Sequence, residues 1–505
     1  MCPYKPFIFI TILLLSFHAK SQQPDGSVFE RRVTIAYENQ ALEHILEQIS
    51  WQADVYFSYN AGEIDSERPV SIHVENKSLY YVLNSLFSPD EFTLRERDNQ
   101  IIVTKNTSDS HEAVAVNDTF STHYFFLNGK IIEGRRDKPL AYASVSVLNK
   151  PIGTISNTDG EFLLKLHPDN IRDTVVISCM GYAQKLVPAY TLLDEDLFIM
   201  QPISVRIKEI RVTSTTPDNI LRRIRENLTQ NYSTKTQLIS AFYRETVKQD
   251  GDYINVSEAV IDILKAPYNN ALKNDLVRLV KGRKSPDVRP FRWLNFKLQG
   301  GPFTIVQLDV MKTVESFIDE QFQHLYKYEI ARVIWYNEQP VYVVRFAPVS
   351  EKVFPGFIGE MYVHRESFAV VHARFRFNKG SLKQATDIMI MKKPRGVKAR
   401  PSYVQYEVNY QNYRGKWYLS TLQASIKFKI KSKRDKLNSE FHSVSDLLIT
   451  DIQDSELKRF PGNERFTRKD VFVERIGAFD QKFWENYNII KPDEDLRKAF
   501  KHKEK

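Results

Sequence analysis

The sequence is poor in cysteine, with only Cys2 and Cys179 in 505 residues and no pair at C-x-x-C spacing. That excludes a disulfide-dense scaffold and leaves zinc-ribbon and thioredoxin-type chemistry without support. It also has no H-E-x-x-H, no G-x-S-x-G, no Walker loop and no G-x-G-x-x-G. No catalytic, metal-binding or cofactor-binding residue can therefore be assigned from a motif. Past the N-terminus, no segment reaches the ~18 uninterrupted apolar residues that a membrane helix needs.

What is present is globular in composition: 42% hydrophobic, 26% charged and 12% aromatic residues. A disordered or fibrous chain is excluded, and the length predicts about three or four domains.

Residues 1–21 carry Lys5 in a short leading region, an apolar run from Phe7 to Phe17, and small residues at Ala19 and Ser21. This is the pattern of a secretory signal peptide cleaved near Ser21. A lipoprotein signal needs a Cys at the cleavage point, and Cys2 precedes the apolar run. Cleavage removes Lys5 and Lys20, lowers the net charge from +9 to +7 and leaves Cys179 as the one thiol. Cys179 follows an apolar strand pattern and reads as core filling. The expected mature protein is exported, periplasmic or peripherally associated with the outer membrane.

Residues 28–105 predict a small α+β module. Val33-Thr34-Ile35-Ala36 reads as a strand, and Asn39 as the cap of a helix with Leu42, Ile45, Leu46 and Ile49 on one face. A second helix starts behind Ser78, and Arg97-Asp98-Asn99 separates two strands of a hairpin. The ordered series Val33-Thr34-Ile35, Ala41 to Leu46, Phe57-Ser58-Tyr59, Val70-Ser71-Ile72, Leu79-x-x-Val82-Leu83 and Ile101-Ile102-Val103 resembles the short N-terminal domain of secretins and TonB-dependent transducers (STN). The resemblance implies a periplasmic module that makes protein–protein contacts and holds no catalytic residue.

Residues 106–122 are polar, lack periodicity and read as a linker. Residues 123–204 predict a β-sandwich of about seven short strands. Thr158-Asp159-Gly160 forms a tight turn there, with an Asx side chain and a glycine tolerant of positive φ. Asp159 and Asp173 also allow a calcium reading. Asn128-Gly129-Lys130-Ile131, Pro139 to Val145, Thr158 to Phe162 and Ser178-Cys179-Met180-Gly181-Tyr182 resemble the carboxypeptidase regulatory-like sandwich of exported Bacteroidetes proteins. This implies a non-catalytic, prealbumin-like fold.

Residues 213–460 open with a helix over Ile220, Leu221, Ile224 and Leu228, capped by Asp218, and then alternate as strands. The alternation predicts a large curved antiparallel sheet with one buried face and flanking helices. Residues 461–505 read as a partly helical tail with Phe479, Phe483, Trp484, Tyr487 and Leu496 as anchors. Phe242 to Glu245, Ala266-Pro267-Tyr268, Arg278 to Lys284 and Phe483 to Asn488 resemble the uncharacterised region that accompanies the sandwich in Bacteroidetes proteins. The Gly359–Val371 hairpin resembles the open β-barrel of lipoprotein carriers, which implies acyl-chain binding. The fold class is thus multi-domain and mostly β.

Between Val371 and Asp435 there are 16 Lys and Arg against 3 Asp and Glu, a net of +13 that exceeds the excess of the whole chain. Lys392, Lys393, Arg395, Lys398 and Arg400 fall in a Pro/Gly-containing loop, and Lys427, Lys429, Lys431 and Lys433 alternate along one strand face. They read either as a contact for an anionic membrane surface or as a solvated edge protected by lysines. His364 and His372, with Glu360 and Glu366, form the one sequence cluster resembling a metal site. Glu245 and Glu258 read as paired carboxylates or as partners of Arg244 or Arg278.

The expected protein is a non-enzymatic envelope protein with protein partners, no nucleic acid, no cofactor and no metal. The alternatives are a lipid or lipoprotein carrier using the curved sheet, and a hydrolase with an unrecognised site.

Overall fold

The computed structural model describes residues 27–60, 62–88, 91–97, 99–106, 124–134, 136–203, 215–270, 272–284, 301–312, 316–336, 339–389, 395–434, 436–476 and 487–501. The expected signal peptide, the linker beyond Asn106, and Phe479, Phe483 and Trp484 lie outside the described residues. The chain divides into two compact units, 1–79 with 86–123, and 80–85 with 124–505. Among the described residues, no helix is long and apolar enough to cross a membrane.

The N-terminal elements are β1 (Arg32–Ala41), α1 (Leu42–Ala53), β2 (Tyr56–Tyr59), β3 (Pro69–Ser78), α2 (Leu79–Leu86), β4 (Phe92–Arg97) and β5 (Gln100–Lys105). Leu42, Ile45, Leu46 and Ile49 are buried along one face of α1, as their spacing predicts. Asn39 is not its cap. Ala41 holds that position without a side-chain bond, while Asn39 sits at φ 51° where the β1–β3 register slips. The strands form two small sheets, β1–β3 and β2–β5–β4.

The seven strands that follow are β6 (Phe125–Glu133), β7 (Ser144–Val147), β8 (Gly153–Ile155), β9 (Glu161–Leu166), β10 (Thr174–Ser178), β11 (Lys185–Pro188) and β12 (Leu197–Met200). They form a sandwich of one sheet in the order β11-β10-β7-β8 and another in the order β12-β6-β9. Phe125 to Leu127 and Lys130 to Ile132 lie in the single strand β6, and β12 runs parallel to it. Asn157, rather than Asp159, supports the predicted turn, with Oδ1 accepting from the Asp159 N–H at 3.0 Å and the Glu161 N–H at 2.8 Å. Gly160 takes φ +76°, and a Cβ there would stand 2.4 Å from the Ile131 carbonyl oxygen.

Helix α3 (Pro217–Glu226) is capped by Thr216, whose hydroxyl accepts from the Asn219 N–H, while Asp218 lies in its first turn. The rest is one antiparallel sheet of 11 strands: β13 (Gln237–Gln249), β14 (Asp252–Lys265), β15 (Leu276–Lys284), β16 (Tyr326–Tyr336), β17 (Gln339–Pro348), β18 (Phe357–His364), β19 (Val370–Phe377), β20 (Val397–Tyr413), β21 (Lys416–Ser432), β22 (Leu437–Asp454) and β23 (Arg465–Phe466). Strands β16 to β22 meander in sequence order; β22 then pairs with β13, and β14, β15 and β23 follow. Arg414 and Gly415, both at positive φ, join β20 to β21, the two-residue connection that suits strand twist.

The inner face of this sheet is filled by its own chain. Ile220, Leu221 and Ile224 of α3, Ile305 and Val306 of helix Gly301–Val306, and Phe317 pack with strand residues such as Ala241, Val344, Met361, Val408 and Leu447 in one continuous core. The Phe317 ring stacks on Phe346 at a centroid distance of 3.8 Å. Side chains lining a cavity wide enough for a ligand would keep accessible surface. Ile220, Leu221, Ile224, Val344 and Met361 keep 0%.

Candidate functional site

With the inner face packed, the chemistry lies on the outer face of the large sheet and at its margins. A row of polar side chains crosses ten strands in direct register: Glu329, Arg345, Glu360, Arg374, Glu407, Gln423, Asp446, Arg244, Glu258 and Arg283. Opposite charges facing each other across strands stabilise the pairing. Arg345 reaches Glu360 at 3.2 Å, Arg374 Nε donates to Glu407 at 2.9 Å, and Gln423 Nε2 donates to Asp446 at 2.7 Å. The row passes from solvent into burial: the Arg345 side chain is 51% exposed, that of Glu258 2%.

Beside this row, the same face turns basic. Lys398 and Arg400 belong to β20 rather than to the expected loop, and they stand directly opposite Lys431 and Lys429 of β21. All four are exposed. Lys427 pairs with Glu440 at 3.4 Å. Lys433 lies in the turn after β21, and Arg395 in the turn before β20. Lys392 and Lys393 lie outside the described residues.

A second constellation has no sequence signal. Lys265 Nζ donates to Asp275 at 2.7 Å and to Asp309 at 2.6 Å, and Lys312 Nζ donates to Asp275 at 2.5 Å. Tyr268 donates to Asp309 at 2.8 Å, and Tyr410 donates to the other oxygen of the same carboxylate. Burial pushes the Asp309 carboxyl up, but the Lys265 ammonium and these donors leave it below the ordinary range. A cleft of about 500 Å³, lined by Lys273, Phe303, Gln307 and Arg468 among others, opens onto Asp275, Asp309 and Lys312. Each buried charge here faces one of opposite sign, which is the condition under which such groups are tolerated. The partners span residues 265–410, so no local spacing could have disclosed them.

The remaining sequence candidates separate. His364 Nδ1 lies 2.9 Å from Ser367 Oγ, and His372 Nδ1 lies 2.7 Å from Asn409 Oδ1. Glu360 is engaged by Arg332 and Arg345. Among the described residues, no group of three or more His, Cys, Asp and Glu could hold a metal ion. Glu258 binds Arg244 and Arg283, Glu245 accepts from Tyr243, and Arg278 binds Asp262 and Glu464. Asp173 pairs with Lys150 at 2.6 Å, whereas Asp159 accepts from the Glu494 N–H. Cys179 lies just past β10, half-buried, and burial pushes its thiol up to about 11.

The sandwich is joined to the large sheet by the C-terminal segment. Asn488 donates to the Lys165 carbonyl and accepts from the Lys165 N–H, while Thr154 donates to the Ile489 carbonyl at 3.0 Å. Ile489 and Ile490 pack with Ile155 of the sandwich and with Phe242, Val260 and Leu448 of the sheet. Arg497 closes on Glu161 at 2.8 Å.

Residues 127–202 match the CarboxypepD_reg-like domain. The seven-stranded sandwich is that domain. No curated protein gives a match. Among solved structures, the outer membrane lipoprotein-sorting protein domain of Vibrio parahaemolyticus aligns at 10% identity over 48% of this chain and 94% of that one, with a TM-score of 0.23. A LolA superfamily protein from Nitrosomonas europaea aligns at 14% identity over 48% and 96%, with a TM-score of 0.19. A DUF1329 family protein from Desulfovibrio piger aligns at 9% identity over 48% and 92%, with a TM-score of 0.21. Superpositions at this level carry no functional argument. The CarboxypepD_reg-like domain contributes Thr154, Ile155 and Lys165 to the junction above, so the C-terminal segment is part of its surroundings.

Proposed function

We propose that this is an exported, non-enzymatic cell-envelope protein whose N-terminal module and CarboxypepD_reg-like domain make protein–protein contacts, with the large sheet as a rigid platform. The observation that carries this reading is the filled inner face of the sheet. A carrier of acyl chains needs an apolar cavity of several hundred Å³, whereas here α3 and Phe317 occupy the concavity. The polar clusters add support, because their charged groups are engaged with one another, Asp275, Asp309 and Lys312 at the cleft included. The signal-like N-terminus and the resemblance of residues 28–105 to the secretin and TonB short N-terminal domain support contacts within the envelope.

The test is to express the full chain with its leader, extract it folded from the envelope and analyse it by lipid mass spectrometry and by crosslinking. The expected result is crosslinked protein neighbours and no stoichiometric lipid. A stoichiometric acyl lipid with no reproducible protein neighbour would replace this reading with the carrier.

A further inference from the structure

We infer that the basic end of the large sheet, built on Lys398, Arg400, Lys429 and Lys431, is a docking surface for an anionic phospholipid bilayer. The cross-strand register makes two like-charge pairs, Lys398 with Lys431 and Arg400 with Lys429, and on its β22 side Lys429 faces Glu440, whose carboxylate is engaged by Lys427. Adjacent strands lie about 4.8 Å apart and alternate residues about 6.7 Å apart, so the four cations form a grid finer than the ~10 Å screening length at 0.1 M salt. Like charges placed directly opposite are destabilising. Nothing among the described residues bonds to these four side chains, while in the neighbouring row of the same face Arg345, Arg374, Arg244 and Arg283 each meet a carboxylate.

The reverse face explains why the grid stays outside. Val397, Ala399, Phe428 and Ile430 alternate with the cations and are buried with Val247 and Phe441. Edge protection does not account for Lys429 and Lys431, since β21 is hydrogen-bonded to β20 on one side and β22 on the other. Arg395, Lys433, Arg434 and Lys436, all exposed, extend the positive surface beyond the strand ends.

The composition of the patch selects the partner. Protein interfaces are enriched in Arg and aromatic residues and depleted in Lys. This surface is dominated by lysine, a hydrated point charge on a flexible stem without the directional fork of arginine. It forms no pocket. Point charges spread over an open face match a plane of phosphates better than one shaped ligand.

The test uses the full-length chain in co-sedimentation with phosphatidylglycerol/phosphatidylcholine vesicles and with pure phosphatidylcholine vesicles. One variant combines Lys398→Gln, Arg400→Gln, Lys429→Gln and Lys431→Gln. A control removes the same charge from exposed positions elsewhere: Lys327→Gln, Lys352→Gln, Lys379→Gln and Lys383→Gln. Binding should require phosphatidylglycerol and weaken sharply between about 0.05 and about 0.5 M NaCl. At about fivefold per near-surface cation, the patch variant should lose about 100-fold or more in partitioning. The control should stay within about fivefold, and the patch variant should melt close to the parent, because relief of two like-charge pairs offsets loss of the cation opposite Glu440. The inference is overturned by absence of phosphatidylglycerol-dependent binding in the parent, by equal losses in patch variant and control, or by binding to immobilised polyglutamate with none to vesicles.

Discussion

Arg244 and Glu258 face each other on β13 and β14, and Arg244 Nε donates to Glu258 Oε1 at 2.8 Å with neither side chain more than 5% exposed. Arg283 takes the other carboxylate oxygen at 2.9 Å, and Arg244 Nη2 also donates to the Ile490 carbonyl. One carboxylate thus serves two guanidinium groups beneath the C-terminal segment. Replacing it removes that negative charge from both. Glu258→Gln should cost about 3–5 kcal/mol, read as a fall in the urea midpoint of the second unit. A cost within about 1 kcal/mol of the parent would mean that the triad adds little to cohesion.

Gly160→Ala tests the turn of the CarboxypepD_reg-like domain. The backbone is left-handed there, and the new methyl group would press on the Ile131 carbonyl oxygen. Strain and displacement together should cost about 2–4 kcal/mol, seen as a lower melting temperature. An unchanged melt would show that the turn relaxes freely.

His372 predicts a pH dependence. Burial holds its imidazole below the ordinary value of 6.5, despite the nearby Glu407 carboxylate. The unfolded chain therefore takes up a proton that the folded chain does not, so stability falls as pH drops through and below about 6.5. His364 and His442 shift in the same direction for the same first cause. The denaturation midpoint should fall between about pH 7.5 and about pH 5, and less steeply in His372→Asn, whose amide can still donate to Asn409. Equal slopes in parent and variant would remove His372 from the account.

Lys265 anchors the buried network. Lys265→Met leaves Asp275 and Asp309 short of a counter-charge and should cost about 3–5 kcal/mol. Adding Asp309→Asn should recover part of that loss. Simple addition of the two single costs would argue against coupling.

Much of the fold was legible locally. The seven-stranded sandwich, the two N-terminal helices and the hairpins at Gly359–Val371 and Arg414–Gly415 follow from period-two alternation, helical spacing and turn residues. The caps expected at Asn39 and Asp218 are each two positions from the observed Ala41 and Thr216. The basic region was legible too, because a net of +13 is a composition fact. That Lys398 and Arg400 lie on a strand was not, since Pro401 within it suggests a loop and is accommodated at a register shift.

The sequence by itself determined which residues of each strand share a face, because alternation is intrinsic to the extended chain. Only the tertiary structure decided which charges meet. The pairing of β13 with β22 sets Arg244 against Asp446, and that of β20 with β21 sets Arg400 against Lys429. Register between strands is fixed by packing of the whole sheet around α3, and a slip of one residue would move every side chain to the other face. Hence the charge-matched row, the like-charge pairs of β20 and β21 beside it and the Lys265 network all arise from long-range pairing that local spacing does not encode.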